Sequence, residues 1–225
     1  MSHSFTQHRT MWWSMKAALL GASLITIAGC SLTPVQQANQ VSIAPNTFVT
    51  LPTPADLGQT LSASQLITAQ WPASPGKETK GSADKHGSQP QNQQQLPVQL
   101  QVDSGKVALA GFSSWGSRIL SLTYENNAIE ASVLPGLGDT LPKPEQVLFN
   151  LMITLWPLDA WQGPLSQVGW QLVEIQQHRQ LIDNHGTVVA DIRYQAADRL
   201  TGDIVFINHQ LGYTIIIKTL QYSHT

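Results

Sequence analysis

Cysteine is the scarcest informative residue in this sequence: among 225 residues there is one, Cys30. A single thiol cannot form a disulfide within the chain, and it cannot supply a zinc site built from several thiolates. Both kinds of internal cross-link are therefore excluded.

Charged residues are also few. They make up 12% of the chain, with 12 basic and 14 acidic side chains and a formal charge of −2. A chain beginning at Cys30 would lack Arg9 and Lys16, leaving 10 basic against 14 acidic residues, or about −4. We therefore expect no basic patch for nucleic acid or anionic lipid headgroups. The hydrophobic content of 42% fits one globular domain.

Catalytic motifs are missing as well. The sequence has no Gly-x-Ser-x-Gly elbow, no His-Glu-x-x-His and no glycine-rich phosphate loop. We expect His178 and His209 to be solvent-exposed polar residues, and Asp183 and Asp191 to be turn and outward-facing strand residues. We predict that the protein is not an enzyme and has no metal site, and no cofactor other than covalent acyl chains.

An apolar run stands out near the N-terminus. Residues 17–29, "AALLGASLITIAG", follow Arg9 and Lys16 and end in small residues, which is the pattern of a signal peptide. The run is shorter than the roughly 20 apolar residues that a transmembrane helix needs. An ordinary signal peptide and a short hydrophobic anchor are the alternatives at this point.

The end of this run resembles the lipobox of bacterial lipoproteins, with the residues Ile27-Ala28-Gly29-Cys30. The resemblance implies that residues 1–29 are a cleaved lipoprotein signal peptide and that Cys30 is the lipid attachment site, carrying acyl chains such as palmitate. Ser31 stands where an inner-membrane retention signal has aspartate. The resemblance thus implies an anchor at the periplasmic face of the outer membrane.

Two polar segments divide the rest of the chain. Residues 30–53 predict a tether, and residues 72–95, which have almost no apolar side chains, predict a disordered surface loop. Residues 54–225 predict a single domain that contains this loop and begins with a helical turn in "PADLGQT", residues 54–60.

Strict alternation of apolar and polar residues dominates that domain. In "LPVQLQVD" (96–103), Leu96, Val98, Leu100 and Val102 share one face. About ten such segments, separated by turn residues, predict short antiparallel strands that mostly pair in sequence order. They are residues 65–71, 96–103, 106–112, 118–124, 128–134, 170–176, 179–183, 187–194, 203–209 and 212–222.

One segment has helical spacing instead. Residues 143–161 have Pro144 near the start, Glu145 in the first turn and Pro157 as a stop. Apolar residues cover nearly the whole circumference, which predicts a helix laid in the concavity of a strongly curved antiparallel sheet. Met152 fits either a packed core or, as a flexible thioether, an adaptable acyl-chain site.

A tryptophan lies in one of the predicted turns. Trp115 stands among serine and glycine in "GFSSWGSRIL", residues 111–120. Turns lie at surfaces, whereas tryptophan has the largest apolar side chain. Its ring either folds back as a cap on the core or stays exposed to meet an apolar partner.

The order of these elements, from residue 65 to Tyr222, resembles LolB, an outer-membrane lipoprotein receptor, and its soluble partner LolA. The closer resemblance is to a LolB-like family of lipoproteins encoded beside aryl-polyene and fatty-acid-type synthesis genes. Two stretches carry it: "LPGLGDTLPKPEQVLFNLMITLWPLDAW" (134–161) and "GYTIIIKTLQY" (212–222). The resemblance implies a mainly β fold, an incomplete antiparallel β-barrel around an apolar cavity that has a helical lid.

The resemblance also implies a role for particular residues. Trp115, followed by Gly-Ser, matches the exposed residue that LolB inserts into membrane, and tryptophan suits a bilayer interface. The implied partners are the outer membrane, a LolA-like periplasmic carrier and a lipid or acylated cargo, with the chain as a monomer. The predicted cavity lining comprises Leu148, Leu151, Met152, Leu155 and Trp156.

Two departures from LolB keep other hypotheses open. The polar insertion at 72–95 and the two prolines and two tryptophans of the helical segment differ from LolB. The cargo could thus be a polyene or another lipid-like product instead of a lipoprotein. A structural envelope lipoprotein with a filled core and a lipid-modifying enzyme are the remaining classes.

The lipid attachment site gives a direct test. Replacing Cys30 with serine removes the thiol that is acylated, so the variant should remain an uncleaved precursor without acyl chains. Metabolic labelling with a fatty acid checks this, with the unchanged chain as the control. Label that persists on the Cys30→Ser protein would exclude the lipoprotein interpretation.

Overall fold

A large antiparallel sheet forms the body of the protein. The computed structural model describes residues 38–72, 91–136 and 143–225. Cys30, the signal segment and most of the predicted disordered loop lie outside these residues. The chain from Gln36 to Thr225 is a compact unit that contains the whole apolar core, so it has what a domain needs to fold by itself.

The sheet has ten strands, in the order β7-β6-β5-β4-β3-β12-β11-β10-β9-β8. Two five-stranded meanders, β3 to β7 and β8 to β12, are joined where β12 pairs with β3. The end strands β7 and β8 are not paired with each other in the described chain, so the curved sheet is an incomplete barrel. The strands are β3 (Leu61–Pro72), β4 (Gln91–Val102), β5 (Lys106–Phe112), β6 (Arg118–Glu125), β7 (Ala128–Val133), β8 (Gln171–Ile175), β9 (His178–Ile182), β10 (Val188–Tyr194), β11 (Asp203–Asn208) and β12 (Tyr213–His224).

Apolar and polar residues alternate along the strands, as predicted, and the apolar ones form the inner face of the sheet. In β4, Val98, Leu100 and Val102 are buried, while Gln99 and Gln101 are exposed on the outer face. All ten predicted strands are present. The predicted loop at 72–95 is wrong at its end, because β4 begins at Gln91 and its glutamines pair with β3 along the backbone.

Two helices lie against the inner face: α1 (Pro144–Leu155) and α2 (Leu158–Ser166). Every residue from Leu148 to Leu155 is buried, as expected for a helix covered on all sides. The stop predicted at Pro157 is confirmed, because α1 ends at Leu155, but a second helix follows and continues to Ser166. Sequence reasoning missed that extension because Gly163 and Pro164 lie inside it.

A small hairpin packs on the two helices. It consists of β1 (Gln40–Ala44) and β2 (Thr47–Thr50), joined by a turn in which Asn46 has a φ of 59°. Val41 and Val49 are completely buried, with β1 packed on α1 and β2 on α2. The predicted tether over residues 30–53 is therefore wrong from residue 40 onward, because this segment buries apolar side chains. The predicted helical turn is present as a 3-10 turn over Pro54–Leu57.

The C-terminus of α1 ends inside the protein, where its last carbonyls need donors. Arg179 Nη1 donates to Ile153 O at 2.9 Å and to Trp156 O at 2.8 Å. Arg199 Nη1 donates to Leu155 O at 2.9 Å.

Two further side chains complete this cap. The hydroxyl of Tyr194 donates to Thr154 O at 2.7 Å, and burial raises the pKa of Tyr194 to about 12, so it remains a donor. Glu174 accepts hydrogen bonds from both arginines. The helix end is thus closed by two arginines, a tyrosine and a glutamate, and the carboxylate of Glu174 offsets one of the two positive charges.

Because of this cap, two arginines of adjacent strands should contribute very differently to the free energy of unfolding. Arg179 is completely buried, whereas Arg193 is exposed on the outer face of β10. Arg179→Met should lower the free energy of unfolding by about 3–5 kcal/mol, the range for breaking a buried ion pair. Arg193→Met, the matched control, should change it by less than about 0.5 kcal/mol. Equal values in chemical denaturation would contradict the cap.

Candidate apolar cavity and membrane tip

An apolar cavity, hereafter the inner cavity, lies between α1 and the inner face of the sheet. Its volume is about 90 Å³. Eleven of its lining residues are hydrocarbon or aromatic, the other two are amides, and none of them is charged. The lining residues are Ile67, Ala69, Gln94, Leu96, Val98, Leu109, Leu120, Val147, Asn150, Leu151, Phe206, Ile215 and Ile217.

The antiparallel pairing places this cavity toward one end of the sheet. The last residues of β3, β5, β7, β9 and β11 and the first residues of β4, β6, β8, β10 and β12 all lie at the same end. Ala69, Gln94 and Ile215 are each close to that end of their strands and are partly exposed. We call it the cavity end of the sheet.

Trp115 lies at the cavity end, in the turn between β5 and β6. Its side chain is 88% exposed, so it does not cap the core. The turn is closed by the amide of Ser113, which donates to Ser117 O at 2.8 Å, and by that of Gly116, which donates to Ser113 O at 2.9 Å. Gly116 has a φ of +82°, which disfavours a side chain at this position. The backbone therefore presents the indole at a well-defined tip.

A second depression, the rim groove, connects this tip to the inner cavity. Trp115, Phe112, Ile119 and Leu134 supply its apolar lining. Gln94 and Leu96 line both the rim groove and the inner cavity. The rim groove therefore adjoins the inner cavity at these two residues, and the exposed indole lines the same groove.

Other exposed apolar side chains collect at the same end. Six large hydrophobic residues of the described chain are exposed, and four of them lie at the cavity end, at strand ends or in turns: Trp71, Trp115, Leu134 and Leu211. The other two, Ile175 and Leu220, lie toward the opposite end of the sheet.

The predicted cavity lining is distributed over two sides of α1. Leu151 lines the inner cavity, together with Val147 and Asn150, which the sequence did not single out. Leu148, Met152, Leu155 and Trp156 are buried but do not line it. The indole of Trp156 donates to Thr53 O at 2.9 Å, so this residue faces the segment that follows the hairpin. Since apolar residues lie on nearly every side of the helix, the apolar pattern does not indicate which side faces the cavity.

Polar side chains form a chain of hydrogen bonds beside the inner cavity. Gln146 Nε2 donates to Asn150 Oδ1 at 3.1 Å, and Asn150 Nδ2 donates to the hydroxyl of Tyr213 at 3.0 Å. Asn208 Nδ2 also donates to that hydroxyl, at 3.4 Å. This neutral network links α1 to the start of β12.

A separate cluster joins three strands on the outer face. His178 Nε2 and His209 Nε2 each lie 2.6 Å from a different oxygen of Asp191, and Gln180 donates to the same carboxylate at 3.1 Å. Asp191 faces outward as expected, yet it is only 8% exposed because the two rings cover it. Burial opposes the charge, but these hydrogen bonds outweigh it and lower the pKa of Asp191 to about 2. The two histidines thus bind a carboxylate instead of serving as free surface residues.

The described residues contain neither a metal site nor a membrane-spanning helix. Within 38–72, 91–136 and 143–225, no group of three or more His, Cys, Asp or Glu side chains is arranged to hold a metal ion. Among the helices of the same segments, none has the length and apolar character needed to cross a membrane.

Comparison with known proteins gives the family. Residues 62–221 match the family described as protein of unknown function, DUF3261. The chain belongs to the DUF3261 family. The match begins in β3 and ends in β12, so DUF3261 comprises the ten-stranded sheet with both helices and leaves out the β1–β2 hairpin. No curated protein matches the sequence.

Two solved structures are similar to the chain over most of its length. A domain from Vibrio parahaemolyticus assigned to outer membrane lipoprotein sorting has a TM-score of 0.34 and 7% identity, covering 74% of this chain and 85% of that one. A DUF1329 family protein from Desulfovibrio piger has a TM-score of 0.31 and 8% identity, covering 77% of this chain and 93% of that one.

The carboxylate of Asp191 gives a pH prediction. Because its pKa is lower in the folded state than the usual value of about 3.9, its stabilising effect is complete above that value. The effect is lost as the pH falls toward 2. Asp191→Asn should therefore lower the free energy of unfolding at pH 7 and flatten its decline between about pH 4 and pH 2.

The matched control is Glu130→Gln, which removes an exposed carboxylate from β7. That variant should keep the pH dependence of the unchanged protein in urea unfolding. Parallel curves for Asp191→Asn and the unchanged protein would contradict the assigned role of the cluster.

Proposed function

We propose that this protein is an outer-membrane lipoprotein, anchored through acylated Cys30, that accepts a lipid-like or acylated cargo in the inner cavity and delivers it into the membrane at Trp115. The rim groove, which is lined by the exposed indole and adjoins the inner cavity, carries this proposal. The proposal places the protein among LolB-like receptors, with a LolA-like periplasmic carrier as the partner that supplies the cargo.

The size of the inner cavity means that it has to widen when cargo enters. At about 90 Å³ it is smaller than an engineered cavity of about 150 Å³ that holds one benzene molecule. The space inside the curved sheet can widen because the end strands β7 and β8 are not hydrogen-bonded to each other. Their separation can increase without the loss of any backbone hydrogen bond between strands.

The physical chemistry of the tip favours insertion into a bilayer interface. An indole 88% exposed to water leaves a large apolar surface unburied, and burying a large apolar side chain contributes about 1.5–3 kcal/mol. Its N–H can stay hydrated at the headgroup level while the ring is buried. With a charge of −2 for the whole chain, membrane contact would rest on apolar insertion instead of attraction to anionic lipids.

Binding and transfer fit the inner cavity better than catalysis. None of its lining residues carries a titratable side chain, so no general acid, general base or nucleophilic cysteine is available on that surface. A purely structural lipoprotein is the second candidate, and retention of lipid by the purified protein separates the two.

The tip gives the main functional test. Trp115→Ala should change the free energy of unfolding by less than about 0.5 kcal/mol, because the ring is exposed. Truncation of a buried tryptophan would cost about 3–5 kcal/mol. The same variant should bind cargo normally but transfer a fluorescent acylated probe to liposomes roughly tenfold more slowly or worse, because it loses the burial energy of the ring.

Ile175→Ala is the matched control, since Ile175 is 67% exposed at the opposite end of the sheet. It should leave both binding and transfer unchanged. The difference in tryptophan emission between the unchanged chain and Trp115→Ala, which reports on Trp115 alone, should shift to the blue when liposomes are added. Unchanged transfer by Trp115→Ala would rule out delivery through the tip.

A further inference from the structure

We infer that the inner cavity selects an amphiphile whose polar end is uncharged, and that the amide of Asn150 and the phenol of Tyr213 hold that end. This inference rests on the proposed function, because it names the chemical class of the molecule bound at the same site.

The polarity of the lining is the first observation. Gln94 and Asn150 are the two polar residues among those that line the cavity, and both side chains are amides. Asn150 is only 7% exposed, so its polar atoms are largely removed from water. The rest of the lining suits a hydrocarbon chain, and Asn150 marks the place where a polar group could lie.

The hydrogen-bond network beside Asn150 is the second observation. The hydroxyl of Tyr213 accepts from Asn150 and from Asn208, and within the described chain its own hydrogen has no acceptor. Asn150 Nδ2 uses one of its two hydrogens in this bond. An ester, amide or hydroxyl oxygen of a ligand can accept these hydrogens. Burial raises the pKa of Tyr213, so the phenol stays neutral.

The third observation is the lack, among the described residues that line the cavity, of a charged partner for an ionic headgroup. The charged residues nearest in sequence on α1 are Lys143, at the residue before the helix, and Glu145, in its first turn. They have opposite signs, and neither lines the cavity. A carboxylate, phosphate or ammonium group at Asn150 would lose its hydration without gaining a counter-charge, which costs far more than burying a neutral polar group.

A displacement experiment tests the inference. The chain from Gln36 to Thr225 is loaded with the neutral fluorophore N-phenyl-1-naphthylamine at pH 8. Four probes with the same twelve-carbon chain then compete: dodecanol, dodecanamide, dodecanoate and dodecylammonium. The two neutral probes should displace the fluorophore at concentrations at least about tenfold lower than either ion.

Variants assign this selectivity to the named residues. Asn150→Asp introduces a carboxylate and should reverse the preference, so that dodecylammonium becomes the best competitor. Asn150→Leu and Tyr213→Phe should still bind the fluorophore but lose at least about half of the preference for dodecanamide over dodecanoate. Gln101→Leu, on the exposed outer face of β4, is the control and should match the unchanged chain.

The outcomes separate the inference from the proposed function. If dodecanoate competes as well as dodecanol, or if Asn150→Leu and Tyr213→Phe keep full selectivity, the inference is wrong while the cavity remains a lipid site. If neither the fluorophore nor any probe binds, the proposed function fails as well. Should Asn150→Asp not fold, the two neutral variants still decide the question.

Discussion

The fold depends on one constraint: an apolar helix enclosed by a sheet has to end inside the protein. The last carbonyls of α1 cannot reach water, and they are satisfied by Arg179, Arg199 and Tyr194, while Glu174 accepts hydrogen bonds from both arginines. These four side chains come from β8, β9, β10 and the segment before β11. One half of the sheet is therefore organised around the end of a single helix.

The two halves of α1 are held by bonds of different strength. Hydrogen bonds to charged groups contribute about 1.5–3 kcal/mol each, against about 0.5–1.5 kcal/mol for neutral ones. Guanidinium groups fix the C-terminal end, whereas the bond between Asn150 and Tyr213 joins neutral groups beside the inner cavity. The C-terminal end of α1 is thus held by stronger hydrogen bonds than the part of the helix that lines the inner cavity.

The strands could be predicted from the sequence because a sheet with one buried face imposes alternation. Arg179 also had a signal, since it is in phase with buried Leu181 on β9. The hairpin could not be predicted, because its strands are five and four residues long and lie among polar residues. The turn at Trp115 was predictable from its serines and glycine, but the direction of the indole depends on tertiary packing. The lining of the cavity depends on the rotation of α1, which the apolar pattern does not encode because apolar residues lie on nearly every side of this helix.

The buried hairpin limits how far the domain can move from its anchor. A flexible tether over residues 30–53 would extend up to about 80 Å, but β1 begins at Gln40, so about nine residues lie between Cys30 and β1. That span reaches roughly 30 Å at full extension, about the thickness of the hydrocarbon layer of a bilayer. With the proposed anchor at Cys30, the protein would be confined to the surface of its own membrane. Any cargo from the opposite membrane would have to be brought to it by a soluble carrier.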